Sequence, residues 1–223
     1  MAWTYEQKFN SLTDGDLGGQ DSWSAIDGSP VLNVQTSSTY EGAKALSCVF
    51  SSTNLESDYR RDITGISDGN FYVAYKVSTI LSGGSSFVAL KDTGGSFVMY
   101  IKLPGGATGG ALLIGTNAAD VTVDGGAFSN DTWYVFNVEF DDTAQNNKYR
   151  CRSFRGGSWG SWTAWSDTVA AYTSITTIRI LSSSGDGGGA HTLYWDTITP
   201  TDPTGSGSTT VFLIPSLLLM GVG

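Results

Sequence analysis

The chain has 223 residues, 40% hydrophobic, 12% aromatic and only 15% charged: enough apolar side chain for one sizeable core, and too little charge for a disordered chain. Its 29 glycines exclude long helices, and they follow no Gly-X-Y period. A net charge of −9 argues against nucleic acid as a partner, because such binders need a basic stripe to displace counterions.

In chain order, the first residues, Met1-Ala2-Trp3-Thr4-Tyr5-Glu6-Gln7-Lys8, carry no basic region followed by an apolar stretch, so no signal peptide is expected. The product is expected to be made in the cytoplasm and to reach a virion surface or the outside without conventional secretion. Alternating or β-branched runs predict strands at 31–35, 45–50, 71–78, 86–91, 96–103 and 111–114, then at 132–140, 148–154, 175–181 and 191–198. In the run after Thr132, Tyr134, Phe136, Val138 and Phe140 share one face, while Trp133, Val135, Asn137 and Glu139 share the other. That is a strand with one apolar and one mixed face. Paired glycines such as Gly83-Gly84, Gly94-Gly95 and Gly156-Gly157 separate the runs as turns. No segment has a helical period. Uneven spacing disfavours an up-and-down barrel, and the lack of a repeat disfavours a propeller. The predicted class is all-β: a two-sheet antiparallel jelly-roll sandwich with a short apolar C-terminal tail.

Residues 1–199 form the predicted domain, 200–209 a Pro/Gly/Ser linker and 210–223 the apolar tail. The tail carries Val211, Phe212, Leu213, Ile214, Leu217, Leu218, Leu219 and Met220. A transmembrane helix needs about 20 apolar residues, and Pro215 interrupts this shorter run, so membrane contact is not expected. A truncated anchor stays open as the alternative. The tail is expected to dock on other copies or other structural subunits, as a peg or an added strand. Cys48 and Cys151 are expected to be free, buried thiols, two cysteines being too few for a disulfide scaffold.

Residues 133–141, followed by Gly156-Gly157-Ser158-Trp159, resemble the back half of a concanavalin A-like lectin/glucanase domain of the laminin-G-like type. Leu193-Tyr194-Trp195-Asp196-Thr197-Ile198 is similar to that family's terminal strand, and Phe9 to Leu12, Gly15 to Leu17 and Trp23 fit its opening. The resemblance spans residues 4–200 and implies two packed antiparallel sheets. It does not imply a function, because the fold hosts lectins, glycosidases, adhesion modules and virion proteins.

Candidate chemistries follow. Glycosidases of this superfamily carry two carboxylates on one strand as E-x-D-x-x-E. Here Glu139-Phe140-Asp141 matches the first half and Ala144 stands at the last position, so a glycoside hydrolase ranks third. The single histidine, His191, reads as a surface residue, and no G-x-S-x-G elbow is present. No cofactor is required. Calcium is the one metal with oxygen ligands at hand, from the expected loop acids Asp14, Asp16, Asp120 and Asp124, with Asp14, Asp16 and Asp196, which sits where the family's terminal-strand acid lies, as the favoured set. Glycan binding needs aromatic platforms beside hydrogen-bonding groups. Trp159, Trp162 and Trp165 with Arg150 and Arg152 supply the candidate, similar to the layered tryptophans and arginines of thrombospondin repeats. In a strand, a spacing of three puts successive rings on opposite faces, so one platform needs a bend. The leading expectation is a non-catalytic structural or adhesion protein, a bacteriophage decoration or fibre protein displaying a lectin-like domain. The alternative is a carbohydrate-binding module of a cell-surface protein.

Overall fold

Alternation along the chain resolves into sixteen strands, and no helix, among the described residues of a computed structural model. It describes residues 3–51, 55–79, 85–104, 112–116, 119–124, 129–141, 146–167, 172–183 and 190–205. The first eight strands are β1 (Gly15–Asp16), β2 (Trp23–Ser29), β3 (Leu32–Gln35), β4 (Ala45–Phe50), β5 (Glu56–Ile66), β6 (Asp68–Val77), β7 (Ser85–Asp92) and β8 (Phe97–Pro104). The rest are β9 (Leu112–Thr116), β10 (Ala119–Asp124), β11 (Tyr134–Asp141), β12 (Lys148–Arg155), β13 (Ser158–Trp159), β14 (Ser166–Asp167), β15 (Ile175–Ser183) and β16 (His191–Thr199). Sheet I has the order β1-β3-β4-β16-β6-β11-β12-β13, with β14 also paired to β12; sheet II has the order β10-β9-β8-β7-β15-β5-β2. All the pairings are antiparallel, and the two sheets form a sandwich.

The period of two explains which residues meet between the sheets. Sheet I contributes Phe50, Phe71, Phe136, Phe140, Tyr149 and Trp195, and sheet II contributes Tyr59, Leu90, Ile178 and Ile180, all buried in one core. The chain's opening is stitched to sheet I by reciprocal backbone bonds between Gln7 and Ile198 (2.7 and 2.8 Å). Trp3 there stacks on Phe71 with ring centres 4.6 Å apart. Gly69 permits this: a Cβ at that position would lie 2.8 Å from the Phe140 ring and 2.9 Å from Trp3. Cys48 and Cys151 are free and buried. Burial pushes the Cys48 thiol up to about 12 and also raises that of Cys151, so neither is a ready nucleophile.

Strand 45–50 is observed as predicted, and the other predicted runs match within a few residues. Three longer strands were missed: β2, β5 and β10. β5 is the instructive case, since Glu56, Asp58, Arg60, Asp62 and Thr64 read as polar loop while Tyr59 and Ile66 are buried in the core. His191 is corrected too: it is buried, its ring stacked 4.8 Å from Phe50.

Candidate functional site

The outer face of sheet I, away from the core, is organised in rows across β6, β11 and β12. The register aligns Ala74–Val135–Phe154, then Tyr72–Asn137–Arg152, Asn70–Glu139–Arg150 and Asp68–Asp141–Lys148. Residues opposite one another on a pleated sheet project to the same side. The face therefore grades from apolar to charged along the strands.

The segment after β12 supplies the tryptophans. Gly156 and Gly157, at φ 61° and 87°, turn the chain back so that β13 pairs with β12. From there the segment does not keep a strand's period. Gly160 N donates to Ser153 O (2.8 Å), Thr163 N donates to Cys151 O (2.9 Å), and Ser166 pairs with Tyr149. Three residues of this segment thus pass for every two of β12. That ratio converts a tryptophan spacing of three into the arginine spacing of two, so the three rings interleave with the arginines on one side. The Arg152 guanidinium lies 4.6 Å from the ring centres of both Trp159 and Trp162. Arg150 lies 4.5 Å from Trp162 and 4.6 Å from Trp165. Each such contact is worth about 0.5–2 kcal/mol, rising with desolvation. Arg150 also donates to Glu139 Oε2 from Nε (2.7 Å) and Nη2 (2.6 Å). The Trp159 indole Nε1 donates to Asp202 (3.1 Å), so the stretch after Pro200 is folded against the ladder.

The opposite flank of the same face holds a second aromatic group. Trp133 lies with ring centres 5.9 Å from Tyr40 and 6.3 Å from Tyr194. Lys76 Nζ sits 4.4 Å from the Tyr194 ring centre and 5.6 Å from that of Trp133. Tyr40, Trp133 and Tyr194 are half-buried, as are the ladder tryptophans. Tyr40 is held by the backbone: its N–H and that of Glu41 donate to Asp196 Oδ2 (2.8 and 2.9 Å), and Thr197 N donates to Asp196 Oδ1 (2.7 Å). Burial raises the Asp196 carboxyl to about 6, against the pull of these N–H groups. Sequence reasoning singled out the ladder but not Tyr40, Trp133, Lys76 or Tyr194. The mixed face of the run after Thr132 was the signal available for Trp133.

Asp14, Asp16 and Asp196, the favoured acids for calcium, do not come together, and Asp120 and Asp124 lie in strand β10 rather than a loop. Asp14 pairs with Lys44 (2.8 Å), Asp16 accepts from the Tyr59 hydroxyl (2.9 Å), and Asp196 accepts the three N–H groups above. Among the described residues, no group of three or more His, Cys, Asp or Glu could hold a metal ion. Ala144 and the tail residues Val211, Phe212, Leu213, Ile214, Leu217, Leu218, Leu219 and Met220 lie outside the described residues.

No family model matches the chain, and no curated protein is significantly similar to it. Solved structures are similar. A sialidase superposes with a TM-score of 0.64 at 7% identity, over 87% of this chain, which spans 18% of the sialidase. The Crh5 transglycosylase gives 0.58 at 14% identity, over 89% of this chain and 85% of its own. A Bacillus licheniformis β-glucanase gives 0.56 at 13% identity, over 89% of this chain and 98% of its own. The fold is the concanavalin A-like jelly roll. The expectation of a non-enzyme is corrected by these findings: proteins with this fold include a transglycosylase, a β-glucanase and an alginate lyase. The half-matched E-x-D-x-x-E pattern is therefore no ground for excluding catalysis. At these identities the likeness establishes the fold alone.

Proposed function

We propose that this jelly roll binds carbohydrate across the outer face of sheet I. One observation carries the reading: half-buried aromatic rings and cations share that face, from Tyr194 on β16 to Trp165 beside β12. With strands about 4.8 Å apart, the rings span roughly 15–20 Å, which suits a chain of sugars rather than a single one. Apolar C–H faces would stack on the rings, and Lys76, Arg150 and Arg152 would meet hydroxyl or carboxylate groups. The test is a binding panel of mixed-linkage β-glucan, alginate and mucin glycans, chosen from what the similar proteins act on. Binding to one of them is expected, weakened at least tenfold in Trp133→Ala. No binding to any of the three, or equal binding by the variant, would overturn the reading.

Cleavage is the second reading, favoured by Glu139 and Asp141. They lie two residues apart on one face of β11, about 7 Å by strand rise, beside Asp68 on β6. Carboxyls of glycosidase pairs stand roughly 5–9.5 Å apart, a range that side chains so placed can span. Assaying the same panel for new reducing ends separates cleavage from binding.

The setting we propose is the surface of a larger assembly, such as a phage particle. The net charge of −9 and the apolar stretch after Ser208 support it. Light scattering on the full chain and on a truncation after Gly205 tests it. The truncation keeps Asp202, and the full chain alone is expected to oligomerise. Two monomers would remove the proposed assembly role.

A further inference from the structure

Asn137 breaks the pattern of its face. It is wholly buried, and neither Nδ2 nor Oδ1 has a hydrogen-bond partner among the described residues. Across the register on β12, Arg152 Nε is also buried without a partner. Folded chains seldom leave an amide and a guanidinium nitrogen unsatisfied side by side, since a hydrophobe of the same shape would avoid the loss.

What covers them is Trp159. Its ring centre lies 5.7 Å from that of Tyr72 and 4.6 Å from the Arg152 guanidinium. Tyr72 and Arg152 are the two residues that flank Asn137 in its row, so the indole bridges the β11 position between them. The backbone of Trp159 is paired to Phe154 of β12, while its indole is tied outside the sheet by the bond from Nε1 to Asp202 (3.1 Å), so the lid that could move is the side chain. Segment 160–165 beyond it belongs to no strand.

We propose that Asn137 and Arg152 form a closed polar subsite for a pair of sugar hydroxyls, with Trp159 as its movable lid; this rests on the carbohydrate reading above. With the indole displaced, the amide offers a donor and an acceptor, and Arg152 Nε adds a second donor. Neighbouring hydroxyls, each able to donate and accept, match that set. Tyr72 then presents its ring to the sugar's C–H face. Groups that have no partner among the described residues gain one in the complex, so binding is aided where folding is not.

The experiment uses the full chain and whichever of mixed-linkage β-glucan, alginate or mucin glycan it binds. Asn137→Leu is expected to raise the melting temperature and to weaken binding at least tenfold. Asp202→Ala, which frees the lid, is expected to tighten binding about threefold. If Asn137→Leu binds as well as the parent chain, the subsite is overturned while the carbohydrate reading stands. If it lowers the melting temperature and leaves affinity unchanged, Asn137 is a structural residue and the proposal fails. If the parent chain binds none of the three glycans, the carbohydrate reading fails first and takes the subsite with it.

Discussion

Among the described residues, each sheet buries one aspartate on its outer side, and the two are satisfied in different ways. Asp58 on β5 of sheet II is 2% exposed and faces Arg179 of β15, whose Nε donates to Oδ1 (2.9 Å) and whose Nη2 contacts Oδ2. Asp196 on β16 of sheet I is 0% exposed and accepts from three backbone N–H groups, two of them those of Tyr40 and Glu41. One carboxylate is paired with a cation across neighbouring strands; the other is caged by the chain itself. The first fastens strand to strand, while the second fastens a loop onto the aromatic face. The means of satisfying a buried charge thus sets what its loss disturbs: the sheet in one case, the site in the other.

Asp58→Ala leaves the half-buried Arg179 without its hydrogen-bonded carboxylate and with only the Coulombic pull of Glu56, a loss that approaches about 3–5 kcal/mol where such a pair is fully buried. Burial already lowers the Arg179 guanidinium's affinity for its proton, so solvent offers it little relief. Urea unfolding is expected to show that loss. The double variant Asp58→Leu, Arg179→Met should recover most of it, because well-packed apolar pairs replace buried ion pairs at little cost. A single-variant loss under about 1 kcal/mol would mean that Arg179 reaches water, and sheet II would then not differ from sheet I in this respect.

The two aspartates also mark where sequence reading stops. Strands such as β4 were legible because apolar residues face the core of the sandwich and the alternation survives in the letters. β5 was not, because its outward positions are charged and Arg61, on its core-facing side, lies over the Tyr5 ring. The ladder's ingredients, Trp159, Trp162, Trp165, Arg150 and Arg152, were legible. Their interleaving was not, since it depends on a segment that advances three residues for two of β12. Asp202 sits in a Pro/Gly/Ser stretch whose composition gives no hint of Trp159 forty-three residues earlier. The cage around Asp196 joins residues 155 and 156 apart, a pairing that no local pattern encodes. What a strand buries is written locally; what lies over its outer face is decided by distant chain.

The smaller effect, and the sharper probe of the comparison, is the pH dependence at Asp196. Burial, with Glu41 adding to it, lifts this carboxyl from 3.8 to about 6, while the N–H groups of Glu41, Tyr40 and Thr197 pull the other way. A raised value in the folded state means that the folded chain holds the proton more tightly than the unfolded one between about pH 4 and 6. Unfolding there releases a proton, so this group's contribution to stability falls as pH rises through that window and levels off above it, by on the order of 2 kcal/mol. Other titrating groups add slopes of their own, so this one is isolated by difference. Asp196→Asn cannot offer acceptors to all three N–H groups and is destabilised throughout, but it does not titrate. The stability gap between the parent chain and this variant is therefore expected to narrow by about 2 kcal/mol from pH 4 to pH 7. A gap that widens instead would put the folded value below 3.8. The backbone cage would then outweigh burial, and N–H groups alone would hold a buried charge as firmly as Arg179 holds Asp58.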